Sequence, residues 1–268
     1  MIKKNTELHS NTDISDDWGS MLVALSDVTE TNYYRSTFNY EFEHAFITKT
    51  IQMMGFIGVN HPNYAAKAVA GLYRISSLYT FGGVQWDIID QMGQICQRTE
   101  ACCNRVIEYI HRIISTTWTQ DIADIALSVL TMIEQQWAPK KHMFTPLLYI
   151  LGHGNTDQKL RVITLFSRQL EGYWEKPIQS IKHIVTGDDS IQLRRAAAMC
   201  LGDIGACQGQ SVREAIFECE ETLVQKINKI KKEINKKSMD NFSLKFQLQD
   251  STTILNLIRF YIKKYSFH

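Results

Sequence analysis

Apolar residues recur at intervals of three and four along nearly the whole chain, and long apolar/polar alternations are missing, so the pattern predicts amphipathic helices rather than strands. Leu193, Ala196, Ala197, Cys200, Leu201 and Ile204 share one helical stripe, the signature of a face buried against neighbouring helices. Just upstream, Gly187 falls where the preceding helix should stop, and Asp188, Asp189 or Ser190 can accept the free N–H groups of the next. Local chemistry therefore accounts for "GDDS" without a phosphate or metal ligand.

The stripe returns along the chain. Aligning Leu160 with Leu193, a step of 33, also aligns Gly154 with Gly187, Arg161 with Arg194, and Phe166 with Met199. A looser version, Ile122, Ala126, Leu130 and Ile133, lies 38 residues before Leu160, and a still looser one is Tyr64, Ala68, Leu72 and Ile75. Second helices of similar make-up lie between them, at Val84 to Met92, Met143 to Leu151, Ile178 to Ile184 and Val212 to Val224. Helix pairs at such a period predict an all-α solenoid, in which each pair buries its apolar face by stacking on the next.

The expected organisation is a flexible N-terminus over 1–16 followed by a single α-solenoid domain over 17–268. N-terminal capping helices occupy 17–58, repeats 60–235 and a C-terminal capping helix 250–265, with "KKSMDNFSLKFQLQD" as a polar connection before that last helix. Glu100 to Thr116 reads as an extra helix that breaks the step between Tyr64 and Ile122, a spacing of 58.

"LRRAAAMCLGDIG" (Leu193 to Gly205) resembles the first helix of a HEAT-like repeat, the short kind also found in phycobilisome-lyase-type proteins. Leu193, Arg194, Ala197, Leu201, Gly202 and Ile204 fit that family's pattern, and Arg161 matches in the preceding unit. Arg168 and Gln169 stand there in place of the Leu and Gly. The resemblance implies a superhelix of antiparallel helix pairs. It also implies that Arg161 and Arg194 form a structural ladder with the turn acids, and that the second helices line a concave face.

Those second helices carry Lys140, Lys141 and His142, then Lys176, Lys182 and His183, then Arg213 and Lys226, with few acids noted between. If they converge, they make an electropositive groove for an acidic protein segment or a phosphate backbone. Overall charge adds no such preference, since Lys+Arg 29 against Asp+Glu 28 leaves +1. The run "KINKIKKEINKK" sets Ile227, Ile230 and Ile234 opposite a basic face, which fits a long last repeat helix first and a membrane-surface or nucleic-acid helix second.

No catalytic constellation emerges. There is no Walker or dinucleotide glycine loop, no GxSxG elbow and no HExxH pair, and His142 and His153 fall at opposite ends of one short helix. Cys102 and Cys103 lie more than two helical turns from His111, too far for a base to activate a thiol. Asp87 and Asp90 share a helix face beside Trp86, an arrangement that suits acid/base work and equally a solvated surface. Trp118, Trp137 and Trp174 lie near helix ends and read as repeat packing first and as partner anchors second. The six cysteines form no CxxC pair and suit reduced, buried thiols. No metal or cofactor is expected.

No apolar run reaches the length of a membrane span or signal peptide, so the expected location is cytoplasmic, with export by a specialised secretion system left open. The sequence thus points to a non-catalytic protein-interaction module: an adaptor, chaperone-like carrier or inhibitor holding a partner on its concave face. The alternative is a nucleic-acid-binding HEAT-like protein, DNA glycosylases among them. A bilin-lyase-like role rests on the repeat consensus alone.

Overall fold

A computed structural model describes residues 14–35, 40–137, 143–168, 175–207, 210–236 and 242–265. They form α1 (Ile14–Arg35), α2 (Tyr40–Asn60), α3 (Ala65–Leu78), α4 (Gly82–Arg98), α5 (Cys103–Thr116), α6 (Gln120–Trp137), α7 (Phe144–His153), α8 (Thr156–Arg168), α9 (Glu175–Thr186), α10 (Ile191–Cys207), α11 (Gln210–Lys236) and α12 (Phe242–Tyr265). Short 3-10 turns precede α3 and α5, and no strand occurs among the described residues. The chain is all-α. Of the stretch 1–16, residues 1–13 lie outside the described residues, while 14–16 already belong to α1.

Contacts divide the chain into two compact units, Met1–Ala138 and Pro139–His268. In the first, α1 packs on α3 and α3 on α5, while α2 packs on α4 and α4 on α6. In the second, α7 packs on α9 and α9 on α11, while α8 packs on α10 and α10 on α12. Each unit is thus two layers of helices, with odd helices in one and even helices in the other.

Four of the even helices, α4, α6, α8 and α10, share a burial pattern anchored at their N-caps. Thr119 Oγ1 accepts from the Ile122 amide at 3.2 Å, and Ser190 Oγ accepts from that of Leu193 at 3.3 Å. Asn155 Oδ1 accepts from the Gln158 amide at 2.9 Å while Gln158 Oε1 accepts from the Asn155 amide at 3.1 Å, a reciprocal capping box. Phe81 holds the corresponding place before α4.

Three, seven, eight and eleven residues beyond each cap, the side chain is buried. These residues are Val84, Ile88, Ile89 and Met92 in α4, and Ile122, Ala126, Leu127 and Leu130 in α6. In α8 they are Gln158, Val162, Ile163 and Phe166, and in α10 Leu193, Ala197, Ala198 and Leu201. The caps at 81, 119, 155 and 190 are 38, 36 and 35 residues apart.

This register corrects three expectations. α8 and α10 are related by 35 residues rather than 33, since Phe166 is fully buried whereas its supposed counterpart Met199 is half exposed. Val84 to Met92 belongs to the helix type of α6, α8 and α10, and α3 to the other layer, so α5 is the ordinary helix between α4 and α6 and interrupts nothing. The polar stretch before 250 is helical from Phe242, because Leu244 and Leu248 continue the apolar stripe of α12.

Candidate interaction surface

The turn at "GDDS" is built to join helices. Gly187 N–H donates to the His183 carbonyl at 2.9 Å, and a methyl group there would meet that oxygen at 2.8 Å, so glycine closes α9. Lys226 reaches over from α11 and donates to the carbonyls of Thr186 (3.1 Å) and Gly187 (2.8 Å) and to Asp188 (2.6 Å). The ammonium holds the Asp188 carboxyl below the usual carboxylate range. Asp189 is 3.5 Å from Lys159 of α8.

Arg194, 4% exposed, donates from Nε to the Val185 carbonyl at 3.1 Å, nine residues back. Burial pulls its guanidinium below the ordinary arginine range, against the opposing pull of Asp250, Asp188 and Asp189. Gln85 of α4 does the same work. Its Nε2 donates to the Ser76 carbonyl at 2.7 Å, again nine residues back, and to that of Tyr79. Both side chains sit four residues beyond their N-cap and satisfy the last carbonyls of the preceding helix. In α8 that place belongs to Lys159, whereas Arg161 is exposed. Arg161 and Arg194 therefore have different surroundings.

Of the basic residues expected on the second helices, Lys182, His183, Arg213 and Lys226 have described side chains. Lys140, Lys141 and His142 lie outside the described residues, and Lys176 lies in α9 with its side chain undescribed. Lys182 is paired with Glu218 of α11, and His183 beside it is exposed. Arg213 leaves α11 about 140° around the helix from Glu218, given 100° per residue. Lys226 is turned inward onto the end of α9. Glu214, Phe217 and Glu221 are also exposed on α11, so the face is of mixed charge with an aromatic in its midst.

In the first unit the odd layer carries a feature that the sequence reasoning missed. The rings of Tyr73 (α3) and Tyr109 (α5) stack 3.9 Å apart at 5°, and the Arg112 guanidinium lies 5.9 Å from the Tyr73 centroid while pairing with Glu108. Next to Tyr73, Arg74 bridges to Asp27 and Glu30 of α1. Setting α5 aside as an extra helix hid the match of Tyr73 with Tyr109, which stand on adjacent helices of one layer.

The chemical candidates are placed as follows. Thr48 Oγ1 donates to Asp87 at 3.4 Å, and burial nonetheless raises the Asp87 carboxyl above its usual range. Asp90 accepts from Gln94 at 2.7 Å, and Trp86 is 40% exposed. Cys96, Cys102, Cys103, Cys200 and Cys219 are free and buried. Cys103 Sγ is 3.9 Å from the Thr99 carbonyl and interacts with the Cys96 thiol, which lowers its own pKa and raises that of Cys96. Burial lowers the His111 pKa.

Trp137 Nε1 donates to the Cys96 carbonyl at 2.8 Å, and Gln136 Nε2 to that of Gln97 at 2.8 Å, closing the end of α4 from α6. Trp174 lies outside the described residues. No group of three metal-ligating side chains occurs among the described residues, and none of their helices is long and apolar enough to cross a membrane.

No family model and no curated protein matches the chain. Among solved structures, one described as "Computational Design of Self-Assembling Cyclic Protein Homooligomers" is 12% identical over 93% of this chain and 96% of that one, with a TM-score of 0.19. A likeness of that size carries no argument.

Proposed function

We propose that the chain is a HEAT-like α-solenoid acting in the cytoplasm as a non-catalytic protein-interaction module, which grips a protein partner on the odd helices of its first unit. The alternating two-layer packing and the N-cap register that recurs every 35 to 38 residues support the solenoid. The observation that carries the function is the stack on α3 and α5: half-buried Tyr73 and Tyr109 held ring on ring, with exposed Arg112 beside them. Tyr and Arg are favoured anchors at protein interfaces, and rings already ordered lose little entropy on binding. In the second unit, taken by itself, Lys182 is paired with Glu218 and Glu214 and Glu221 are exposed on α11, which does not favour a phosphate backbone, since that asks for a continuous positive strip.

The test is capture from native cells with and without nuclease, using wild-type protein and a Tyr109→Ala/Arg112→Ala variant. One stoichiometric protein should survive nuclease and bind the variant about 30-fold less tightly, the equivalent of a 2 kcal/mol hot spot. Recovery of nucleic acid whose binding collapses with salt, or a partner indifferent to the variant, overturns this reading.

A further inference from the structure

The turn between α4 and α5 gathers three of the described cysteines, and none of them belongs to the surface argued above. α4 ends at Arg98 and α5 begins with Cys103 after a single 3-10 turn, so the chain doubles back over Cys96. Cys103 Sγ lies 4.0 Å from the Cys96 carbonyl and 3.9 Å from that of Thr99, and the Cys96 and Cys103 thiols are in hydrogen-bond contact. The backbone under the pair is fixed from the side, since the Trp137 indole of α6 donates to the Cys96 carbonyl at 2.8 Å. Two sulfurs seven residues apart are thereby held against each other between the layers.

The two thiols are unlike. Cys96 is fully enclosed, whereas Cys103 is 5% exposed and is the first residue of α5, where free N–H groups and the helix dipole favour a negative sulfur. The hydrogen bond with Cys96 lowers the Cys103 pKa, against the opposing effects of burial and Glu100, and the same bond followed by burial raises that of Cys96. Burial raises Cys102 and pushes Cys200 and Cys219 up to about 12. Among the described cysteines, Cys103 is therefore the one favoured as a thiolate, and it has a proton-bearing sulfur in contact. The sequence asked for a histidine base near Cys103; a second thiol stands in that place.

We propose that Cys96 and Cys103 are a reversible oxidation site for hydroperoxides, with Cys103 attacking the peroxide and Cys96 closing a disulfide between α4 and α5. The Cys103 thiolate attacks one peroxide oxygen, the O–O bond breaks, and the departing oxygen takes up the proton that Cys103 gave up, which leaves a sulfenic acid. Cys96 then attacks that sulfur. The S–S bond forms, the S–O bond breaks, and hydroxide leaves with the Cys96 proton as water. The two thiols lose two electrons and the peroxide gains them, and a dithiol reductant reverses the change. The bond ties α4 of the even layer to the first residue of the helix that carries Tyr109 and Arg112. None of this depends on the partner-binding reading, and either can fail alone.

The experiment treats the reduced full-length chain with a few molar equivalents of hydrogen peroxide and follows it by intact mass and peptide mapping. Wild-type protein should lose two hydrogens, yield a peptide linked through Cys96 and Cys103, and recover its thiols in dithiothreitol. Cys96→Ser should stop at a sulfenic acid on Cys103 that dimedone traps, and in Cys103→Ser oxidation of Cys96 should be at least about tenfold slower. Cys102→Ser should behave as wild type. Circular dichroism shows that each variant keeps its helices, and the wild-type map stands without them. A wild-type map with no link between Cys96 and Cys103, first oxidation at Cys102, or a link that forms only in unfolding urea overturns the proposal.

Discussion

Gly202 is the residue at which the layer geometry is most sharply testable. A methyl carbon built there would lie 2.5 Å from Cδ1 of Tyr261 and closer still to Cε1 and Cζ, about 1 Å inside ordinary contact. The ring is 7% exposed, so it has little room to swing away. Gly202→Ala therefore sets two terms against each other. Helix propensity favours alanine by about 1 kcal/mol, while overpacking a tight interface costs about 1–3 kcal/mol. With a fixed aromatic ring as the obstacle, the upper half of that range applies, and the net is a destabilisation of about 1–2 kcal/mol. Removing the ring should reverse the sign, so in a Tyr261→Ala background Gly202→Ala gains about 1 kcal/mol, a coupling of about 2–3 kcal/mol. Amide exchange of α10 and α12 peptides reads this unit by itself, and the single variant should exchange about 5- to 30-fold faster there. Stabilisation by Gly202→Ala in the wild-type background would refute the packing of α10 on α12 argued above.

Gln85→Leu keeps the volume of a buried side chain but removes the donor to the Ser76 and Tyr79 carbonyls, and should cost about 1–3 kcal/mol in urea unfolding of the first unit. Lys226→Met should cost about 1–2 kcal/mol, mostly from the two carbonyls it caps. Because Asp188 is depressed in the folded state, its contribution is present above its unfolded pKa of 3.8 and is lost as pH falls through the folded value; that acid step should vanish in the Lys226 variant. Asn155→Ala breaks the capping box of α8 for about 1 kcal/mol, read as a lowered urea midpoint. His111 is depressed below 6.5, so its contribution is whole above pH 6.5 and falls as the unfolded chain takes up the proton that the folded one resists. His111→Gln should flatten that part of the stability–pH profile, measured by urea midpoints between pH 5 and 8.

The all-helical class was plain in the sequence because three- and four-residue spacing survives almost any exchange of one apolar residue for another. Register was not, and the reason is physical. Matching letters put Arg161 over Arg194, whereas the place four residues beyond the cap belongs to Gln85 in α4, Ala123 in α6, half-buried Lys159 in α8 and Arg194 in α10. Gln85 and Arg194 fill it with a long donor that reaches a carbonyl behind it, Lys159 is turned to Asp189, and Ala123 offers only a methyl, so unlike residue types occupy one place. A cap tolerates equal variety, with Phe81, Thr119, Asn155 and Ser190 at corresponding points. Which basic side chains of the second helices stay unpaired is set in a similar way. Pattern counted lysines on the second helices, while the turn of α11 decides which of them meet carboxylates: Glu218 takes Lys182, and the exposed end of α9 takes Lys226.

The same tolerance explains why Gly202 stood out in the sequence while the equally close Gly93 did not. At Gly93 of α4 a methyl group would meet Val129 of α6 at 2.7 Å, so both glycines mark a helix two places on that approaches too near for a side chain. Gly202 was noticed because Leu201 and Ile204 surround it in a familiar order, and Gly93 was passed over because Met92 and Ile95 meet the same burial with different shapes. A core asks for volume and apolarity at a position before it asks for identity, whereas backbone contact has one solution. In this chain the glycines between neighbouring helices of one layer are therefore firmer markers of helix-on-helix contact than the arginines, and substitutions at Gly93 and Gly202 should disturb packing more than any exchange of Arg161.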